Sequence, residues 1–220
     1  MSADIDFFFD PVCPFAWVTS RWIDRVATLR DLDVEWRFIA LRMVNKDRDY
    51  ERDFPPRYID GHTRGLELLR VAAAARDAEG SAAVGRLYAA YGAEIWDRRG
   101  GLESALRMRG DASSLAPVLA AARLEPDLAA AVDQDRWDEV ISAETELALS
   151  RTGKDVGTPI VTYGPPDGRS LFGPVISRVP DDAEALELWD AVQTLSRFTG
   201  FAELKRSQRE PLALESLRRD

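Results

Sequence analysis

The chain has one cysteine and one histidine among its 220 residues, so few of its side chains can act as nucleophiles or metal ligands. A Cys–His catalytic pair would have to join Cys13 to His62. An intrachain disulfide needs two cysteines, and structural zinc sites need more cysteine and histidine ligands than this chain holds. The sequence therefore excludes both, and any thiol chemistry depends on Cys13.

The composition is that of a soluble globular protein, with 45% hydrophobic and 30% charged residues. The net charge of −9 repels phosphate backbones and anionic membranes, so neither nucleic acid nor a membrane is an expected partner. No stretch approaches the ~20 apolar residues of a membrane span, and the acidic first ten residues do not resemble a signal peptide. The sequence also lacks a flavin or nicotinamide fingerprint. We expect a cytoplasmic protein without a bound metal.

Cys13 lies between a predicted strand over Ile5–Phe9 and a predicted helix over residues 13–30, with Pro14 in the first turn. The backbone N–H groups and the dipole at a helix start favour a thiolate, so we expect the thiol pKa to be lowered by roughly one unit. The alternative is that a lone cysteine is simply a small buried residue. Its position at the helix start favours a functional role.

The order of predicted elements indicates one α/β domain. The first strand, the first helix and a second strand over residues 34–39 form a βαβ unit with parallel strands. Residues 45–53 read as a charged loop. The patterns that follow predict helices over 58–78, 83–96, 112–123 (with Asp111 as a cap) and 127–150, strands over 159–163 and 170–172, and a last helix over 181–198. We therefore expect residues 1–45 and 155–220 to form the domain, with 46–154 as an all-helical insertion.

Four further side chains could bind a ligand. Trp17, one turn after Cys13, could stack on a ligand, although an aromatic residue on this helix more often packs in the core. Asn45 and Arg48 follow the second strand and could bond a sugar or a carboxylate, with a solvated loop as the alternative. For His62, near the start of a predicted helix, a solvated or capping role is favoured over catalysis.

The dipeptide Thr158-Pro159 precedes the third predicted strand, where a proline needs no ladder donor. Cys13-Pro14-Phe15-Ala16 together with Gly157-Thr158-Pro159 resembles the thioredoxin superfamily, and the intervening helices narrow the resemblance to its DsbA-like group. Within that group, the sequence resembles one branch in particular, the mycothiol-dependent nitroreductases of actinobacteria. The segments that carry this resemblance are residues 9–14 (FDPVCP), 19–22 (TSRW), Asn45 with Arg48 and Asp49, 155–159 (DVGTP), 172–175 (FGPV) and 201–206 (FAELKR).

The resemblance implies a thioredoxin-like fold in which Pro159 is cis and faces Cys13, and in which the Thr158 backbone pairs with the amide of a thiol ligand. It implies mycothiol as the thiol cofactor and a disulfide or a small electrophile, such as a nitroaromatic, as the substrate. A mycoredoxin-like reductant is a further expected partner. The residues expected to line the thiol site around catalytic Cys13 are Pro14, Phe15, Trp17, Asn45, Gly157, Thr158 and Pro159.

One position departs from the family's usual Cys-Pro-Xaa-Cys motif, because Ala16 stands where the second cysteine would be. A dithiol enzyme releases its product with that second thiol, so here an external thiol must resolve any mixed disulfide. The alternatives are a thiol-dependent isomerase or transferase in which Cys13 never forms a disulfide, and a non-catalytic thiol-binding protein. A homodimer is also expected, because Trp96 and Trp137 lie on helices that do not obviously share one core.

Overall fold

The sheet has four strands in the order β2-β1-β3-β4. The structure is a computed structural model that describes residues 3–98, 100–108 and 112–215. Its strands are β1 (Ile5–Phe9), β2 (Val34–Phe38), β3 (Ile160–Tyr163) and β4 (Arg169–Phe172). β1 pairs in parallel with β2 and antiparallel with β3, and β3 pairs antiparallel with β4. The predicted strands and the parallel βαβ unit are confirmed.

The helices agree with the prediction at the long elements and differ at the short ones. They are α1 (Pro14–Arg30), α2 (Leu41–Val44), α3 (Tyr50–Asp53), α4 (Tyr58–Glu79), α5 (Ser81–Ile95), α6 (Leu102–Arg107), α7 (Ala112–Ala121), α8 (Asp138–Thr152) and α9 (Asp182–Arg197). The prediction of a charged loop over residues 45–53 is wrong in part, because its last residues form α3. The short helix α2, which directly precedes the loop, was not predicted. Asp111, the predicted cap of α7, lies outside the described residues. Across the described ranges, no helix is long and apolar enough to cross a membrane.

The single helix predicted over residues 127–150 is wrong. Two 3₁₀ turns, Pro126–Asp133 and Asp135–Trp137, precede α8, and Gln134 between them has an extended backbone. Arg70 stabilises this break, since its Nη1 donates to the Val132 carbonyl at 3.1 Å while Nε and Nη2 bond the Asp138 carboxylate. A side chain 62 residues away along the chain thus satisfies a carbonyl that a continuous helix would have used.

β1 is buried on both faces, which its position inside the sheet explains. Ile5, Phe7 and Phe9 belong to the large core that includes α1, α4 and α5. Phe8 points to the other face, where it packs with Ile39, Ala148 and Ile160 in a smaller cluster. The helices between β2 and β3 therefore pack on both faces of the sheet: α4 and α5 cover the face of Phe7 and Phe9, and α8 covers the face of Phe8.

The two tryptophans that suggested a dimer are accommodated within one chain. Trp96 is only 3% exposed and its Nε1 donates to the Pro11 carbonyl at 3.0 Å. Trp137 packs against the large core and donates to Gln134 Oε1. That reason for expecting a homodimer is therefore wrong, and the dimer itself stays a prediction.

Candidate functional site

The Cys13 loop connects β1 to α1 and places the thiol at the start of the helix. Cys13 is the N-cap of α1, with an extended backbone, and its Sγ accepts the N–H of Ala16 at 3.4 Å. Its own N–H donates to the Asp10 carbonyl at 3.0 Å, which closes the loop. Pro14 occupies the first helical position, where its missing N–H costs nothing. The predicted helix start is thus one residue early, and the thiol caps the helix.

The segment before β3 meets this thiol from the other side. The Thr158–Pro159 peptide bond is cis, and Pro159 is buried. The Cys13 thiol lies 3.4 Å from the Thr158 carbonyl oxygen and donates to it. The Thr158 hydroxyl is bonded to the Phe8 carbonyl at 2.9 Å, which fixes the segment against β1. Two segments 145 residues apart in sequence therefore converge on one sulfur atom.

The protonation state of Cys13 contradicts the expectation of a lowered pKa. Burial raises the pKa of the Cys13 thiol to about 12, and the negative charge of Asp10 adds to the increase. The N–H groups of Ala16 and Phe15 act in the predicted direction, but their effect is smaller than that of burial. In this conformation Cys13 is therefore a protonated thiol that donates to Thr158, and a thiolate requires the sulfur to become more exposed.

Asp10 is a buried charge that sequence reasoning did not identify as part of the site. Its side chain is inaccessible, and its two oxygens accept the N–H groups of Val12 at 3.0 Å and Leu41 at 2.8 Å. Burial raises the pKa of Asp10 to about 7, against these two backbone bonds. A Cβ on Gly65 of α4 would lie 2.4 Å from Asp10 Oδ1, so only glycine fits there. The carboxyl group joins the Cys13 loop to α2 and α4.

Trp17 was predicted as a ligand-stacking residue, and its environment contradicts that role. The ring is 2% exposed, its Nε1 donates to Asp97 Oδ1 at 2.9 Å, and the guanidinium of Arg21 lies 4.0 Å from the ring centroid. A Cβ on Gly92 would lie 2.1 Å from ring atoms, so the helix backbone of α5 also packs against it. Trp17 belongs to the core, as the alternative interpretation held.

The other predicted site residues differ in what they contact. Phe15 is half-buried beside Cys13, and the guanidinium of Arg209 lies 4.6 Å from its ring centroid. Asn45 ends α2, and its Nδ2 donates to the Leu41 carbonyl at 2.9 Å. Gly157 lies beside Leu41, whose Cδ2 would be 3.8 Å from an added Cβ. α2 therefore brings Asn45 to the same end of the sheet as the Cys13 loop.

His62 is buried rather than solvated, so the favoured interpretation of this residue is wrong. It is 8% exposed, and its Nδ1 lies 3.0 Å from the Tyr50 hydroxyl. The rings of Tyr50, Phe54 and Tyr58 surround it. Burial, with a smaller effect from Arg42, lowers the pKa of His62 to about 4, so the imidazole is neutral. The hydrogen-bonded partner of the imidazole is Tyr50 and that of the thiol is Thr158, so the structure does not form a Cys–His pair.

Comparison of the sequence with protein families finds a match that covers most of the chain. The model of the Rv2466c-like family, described as mycothiol-dependent nitroreductase Rv2466c, matches residues 12–206. A curated relative, the uncharacterized protein Rv2286c of Mycobacterium tuberculosis, is 31% identical over 209 residues. That alignment covers 92% of this chain and 81% of the relative. The matched region includes Cys13, Thr158 and Pro159.

Comparison of the fold finds solved structures with low sequence identity. A 2-hydroxychromene-2-carboxylate isomerase aligns with a TM-score of 0.55 at 16% identity, covering 88% of this chain and 96% of the isomerase. A cytosolic disulfide reductase, DsbM from Pseudomonas aeruginosa, is more distant, with a TM-score of 0.47, 17% identity and coverage of 87% and 98%. The predicted thioredoxin-like α/β fold is confirmed.

Proposed function

The chain belongs to the Rv2466c-like family of mycothiol-dependent nitroreductases, and from this membership we propose a cytoplasmic oxidoreductase that reacts through Cys13 alone. Mycothiol is its thiol cofactor, and a disulfide or a small electrophile such as a nitroaromatic is its substrate. One observation carries the proposal. The Cys13 sulfur lies 3.4 Å from both the Ala16 N–H and the Thr158 carbonyl, in a chain that has no second cysteine.

The first step of the cycle is attack by Cys13 on the substrate disulfide. The hydrogen bond from the Cys13 thiol to the Thr158 carbonyl breaks, and the thiol loses its proton to solvent. The Ala16 N–H and the start of α1 stabilise the resulting thiolate. The sulfur then forms a bond to one substrate sulfur while the substrate S–S bond breaks. The departing thiolate takes up a proton. The product is a mixed disulfide on Cys13, and no net oxidation has occurred.

The second step needs a thiol from outside the chain, because Ala16 occupies the position of a resolving cysteine and is fully buried. Mycothiol would supply this thiol: its sulfur would bond to the substrate sulfur, the S–S bond to Cys13 would break, and the Cys13 thiolate would take up a proton. A mycoredoxin-like protein would then reduce the released mycothiol disulfide. For a nitroaromatic, two thiols supply two electrons and two protons, so that nitro becomes nitroso plus water and the thiols become one disulfide.

The residues present fit a thiol that carries an amide and sugar hydroxyls. Once the Cys13 proton has left, the Thr158 carbonyl can accept from a ligand amide. The side-chain oxygen of Asn45 can accept from a hydroxyl, since its Nδ2 already donates to Leu41. Pro14 and Pro159 have no N–H group and Gly157 has no side chain, so these residues would leave room for a thiol ligand beside Cys13. Phe15 offers a half-buried ring at the edge of this space.

We also propose that residues 46–154 act as a helical insertion that covers the Cys13 loop. Two contacts support this role. Gly65 of α4 packs against the Asp10 carboxyl group, and Trp96, directly after α5, donates to the Pro11 carbonyl. Both contacts reach residues of the loop itself, so a movement of these helices would change the exposure of the thiol.

Intact mass spectrometry after incubation with oxidised mycothiol tests the proposal. The wild-type protein should gain the mass of one mycothiol at Cys13, and the Cys13→Ser variant should gain none. Reduced mycothiol should then restore the original mass. A wild-type protein that forms no adduct at any pH up to about 9, while mycothiol still binds, would contradict the disulfide mechanism.

A thiol-dependent isomerase or transferase is the second candidate, and the buried thiol favours it. Because Cys13 is protonated and donates to Thr158, it could hold a bound thiol without exchanging a disulfide. Continued turnover of a thiol conjugate by Cys13→Ser would support this candidate. Binding of mycothiol, seen as a higher melting temperature without adduct or turnover, would indicate a non-catalytic thiol-binding protein.

A further inference from the structure

The C-terminal segment, residues 199–215, runs from the end of α9 back to the first turn of α1. Its last described part is anchored, since Leu214 is 5% exposed and the Ala213 N–H donates to the Ser177 carbonyl at 2.8 Å. Leu212 packs against the large core. These contacts fix the chain shortly after Arg209, although the segment contains no long helix or strand.

The anchored segment places a cation on the ring of Phe15, two residues after Cys13. The Arg209 guanidinium lies 4.6 Å from the ring centroid of Phe15, in cation–π geometry. Phe15 is two residues from Cys13, and its backbone N–H acts on the Cys13 sulfur. Arg209 itself is exposed, so its charge faces the solvent from which a substrate arrives.

Among the residues that the structure describes, Arg209 has no carboxylate partner, whereas Arg178 pairs with Glu184. The charge of the neighbouring Glu210 raises the pKa of Arg178. In a chain with a net charge of −9, an exposed guanidinium held on an aromatic ring without an anion is available to one.

From this placement we infer that Arg209 is a specificity residue of the Cys13 site, and that it selects electrophiles and disulfides that carry an anionic group such as a carboxylate. The inference rests on the proposed function of Cys13. The reacting sulfur of the substrate would lie at Cys13 and the anionic group would lie against the Arg209 guanidinium, at the edge of Phe15. The charge would attract the substrate without taking part in bond exchange.

Two aromatic disulfides of opposite character test this inference. Dithiobis(nitrobenzoate) carries two carboxylates, and dithiodipyridine is neutral at about pH 8. In both reactions Cys13 sulfur bonds to one aryl sulfur, the S–S bond breaks, and the aryl thiolate leaves. For Arg209→Ala we expect the rate ratio of the anionic to the neutral probe to fall about threefold to fivefold, the size of one exposed charge interaction.

Matched variants separate charge from structure. Arg136 lies 4.7 Å from the ring centroid of Trp137, a similar cation–π contact in another part of the chain, so Arg136→Ala should leave the ratio unchanged. Arg209→Lys should keep part of the preference, and added salt should reduce the ratio in the wild type and in Arg136→Ala, and to a smaller extent in Arg209→Lys. An unchanged ratio in Arg209→Ala, or an equal fall in Arg136→Ala, would overturn the inference. A wild-type protein in which neither probe forms a mixed disulfide at Cys13 would instead contradict the proposed function.

Discussion

The two ends of β1 each bury an acidic side chain, and they treat it in opposite ways. At one end Asp6 lies between two arginines, with Arg37 Nε at 2.9 Å and Arg151 Nη1 at 2.8 Å. At the other end Asp10 receives only backbone N–H groups, from Val12 and Leu41. Asp6 is therefore a neutralised part of the framework. Asp10 is a buried carboxyl group that, within the described part of the chain, pairs with no cation, and it lies in the loop that carries the one cysteine.

This difference indicates where the fold accepts an energetic cost. Burying a carboxylate without a cation is unfavourable, and the pKa of Asp10 rises to about 7 because the protein avoids the charge. The same burial raises the pKa of Cys13. A carboxyl group whose pKa is shifted to near neutrality is more frequent at functional sites than in ordinary structural positions. The contrast predicts that the Asp6 end of β1 mainly determines the stability of the fold, and that the Asp10 end mainly determines the protonation of the Cys13 thiol.

The largest expected effect on stability is that of Asp6→Ala. It would take the carboxylate away from the mostly buried Arg151 and leave Arg37 paired with Glu144 alone, which costs about 3–5 kcal/mol of unfolding free energy. Urea denaturation measures this loss. Asp190→Ala is the control, because Asp190 is exposed and its ion pair with Arg30 is worth about 1 kcal/mol or less. Equal effects of the two variants would contradict the structural role of Asp6.

Asp10→Asn should change how stability depends on pH. The folded protein holds the Asp10 proton up to about pH 7, whereas an unfolded chain releases it near 3.8. Unfolding free energy should therefore fall as the pH rises from about 4 to about 7, by about 4 kcal/mol at most, and stay level above. The variant should lack this fall.

His62 titrates over part of the same range, with the opposite sign. Its folded pKa of about 4 lies below the unfolded value of 6.5, so its contribution to stability grows as the pH rises between them. This contribution is present in both proteins, and the difference between their stability curves isolates Asp10. A difference that does not change with pH would show that Asp10 titrates normally.

A smaller loss of stability is expected from Gly65→Ala, because the added methyl group would collide with the Asp10 side chain. The new Cβ would lie 2.4 Å from Asp10 Oδ1 and 2.8 Å from a Val12 methyl carbon, at a cost of about 1–3 kcal/mol. Gly61→Ala in the same helix meets the flexible end of Leu102 and should change stability by about 0.5 kcal/mol or less. Thermal denaturation compares the two. A milder effect at Gly65 than at Gly61 would contradict the packing of α4 on the Cys13 loop.

Sequence patterns were sufficient for the parts of the fold that local rules determine. Alternating apolar residues predicted β1, and Pro14 with the following spacing predicted α1 within one residue. The break before α8 was missed because Arg70, far away in sequence, bonds the Val132 carbonyl. α6 was missed because six residues after a glycine pair carry little periodicity.

The candidate site was predictable in its chain positions and not in its electrostatics. The resemblance gave Cys13 and Thr158, and the two are in contact. The pKa of the thiol depends on burial by distant helices, which no local pattern reports. The same holds for His62, which is enclosed by rings from α3 and α4, and for Trp17, which α5 covers. Arg209 was not considered, because only the folded chain brings it to Phe15.

Release of the Cys13 mixed disulfide tests the central claim most directly. Wild-type protein carrying one mycothiol on Cys13 is mixed with increasing concentrations of reduced mycothiol, and intact mass follows the return of the free thiol. Because Ala16 leaves the chain without a second thiol, the rate should rise in proportion to mycothiol and extrapolate to zero without it. A rate that is independent of mycothiol, or an adduct that persists at every concentration, would contradict a cycle resolved from outside.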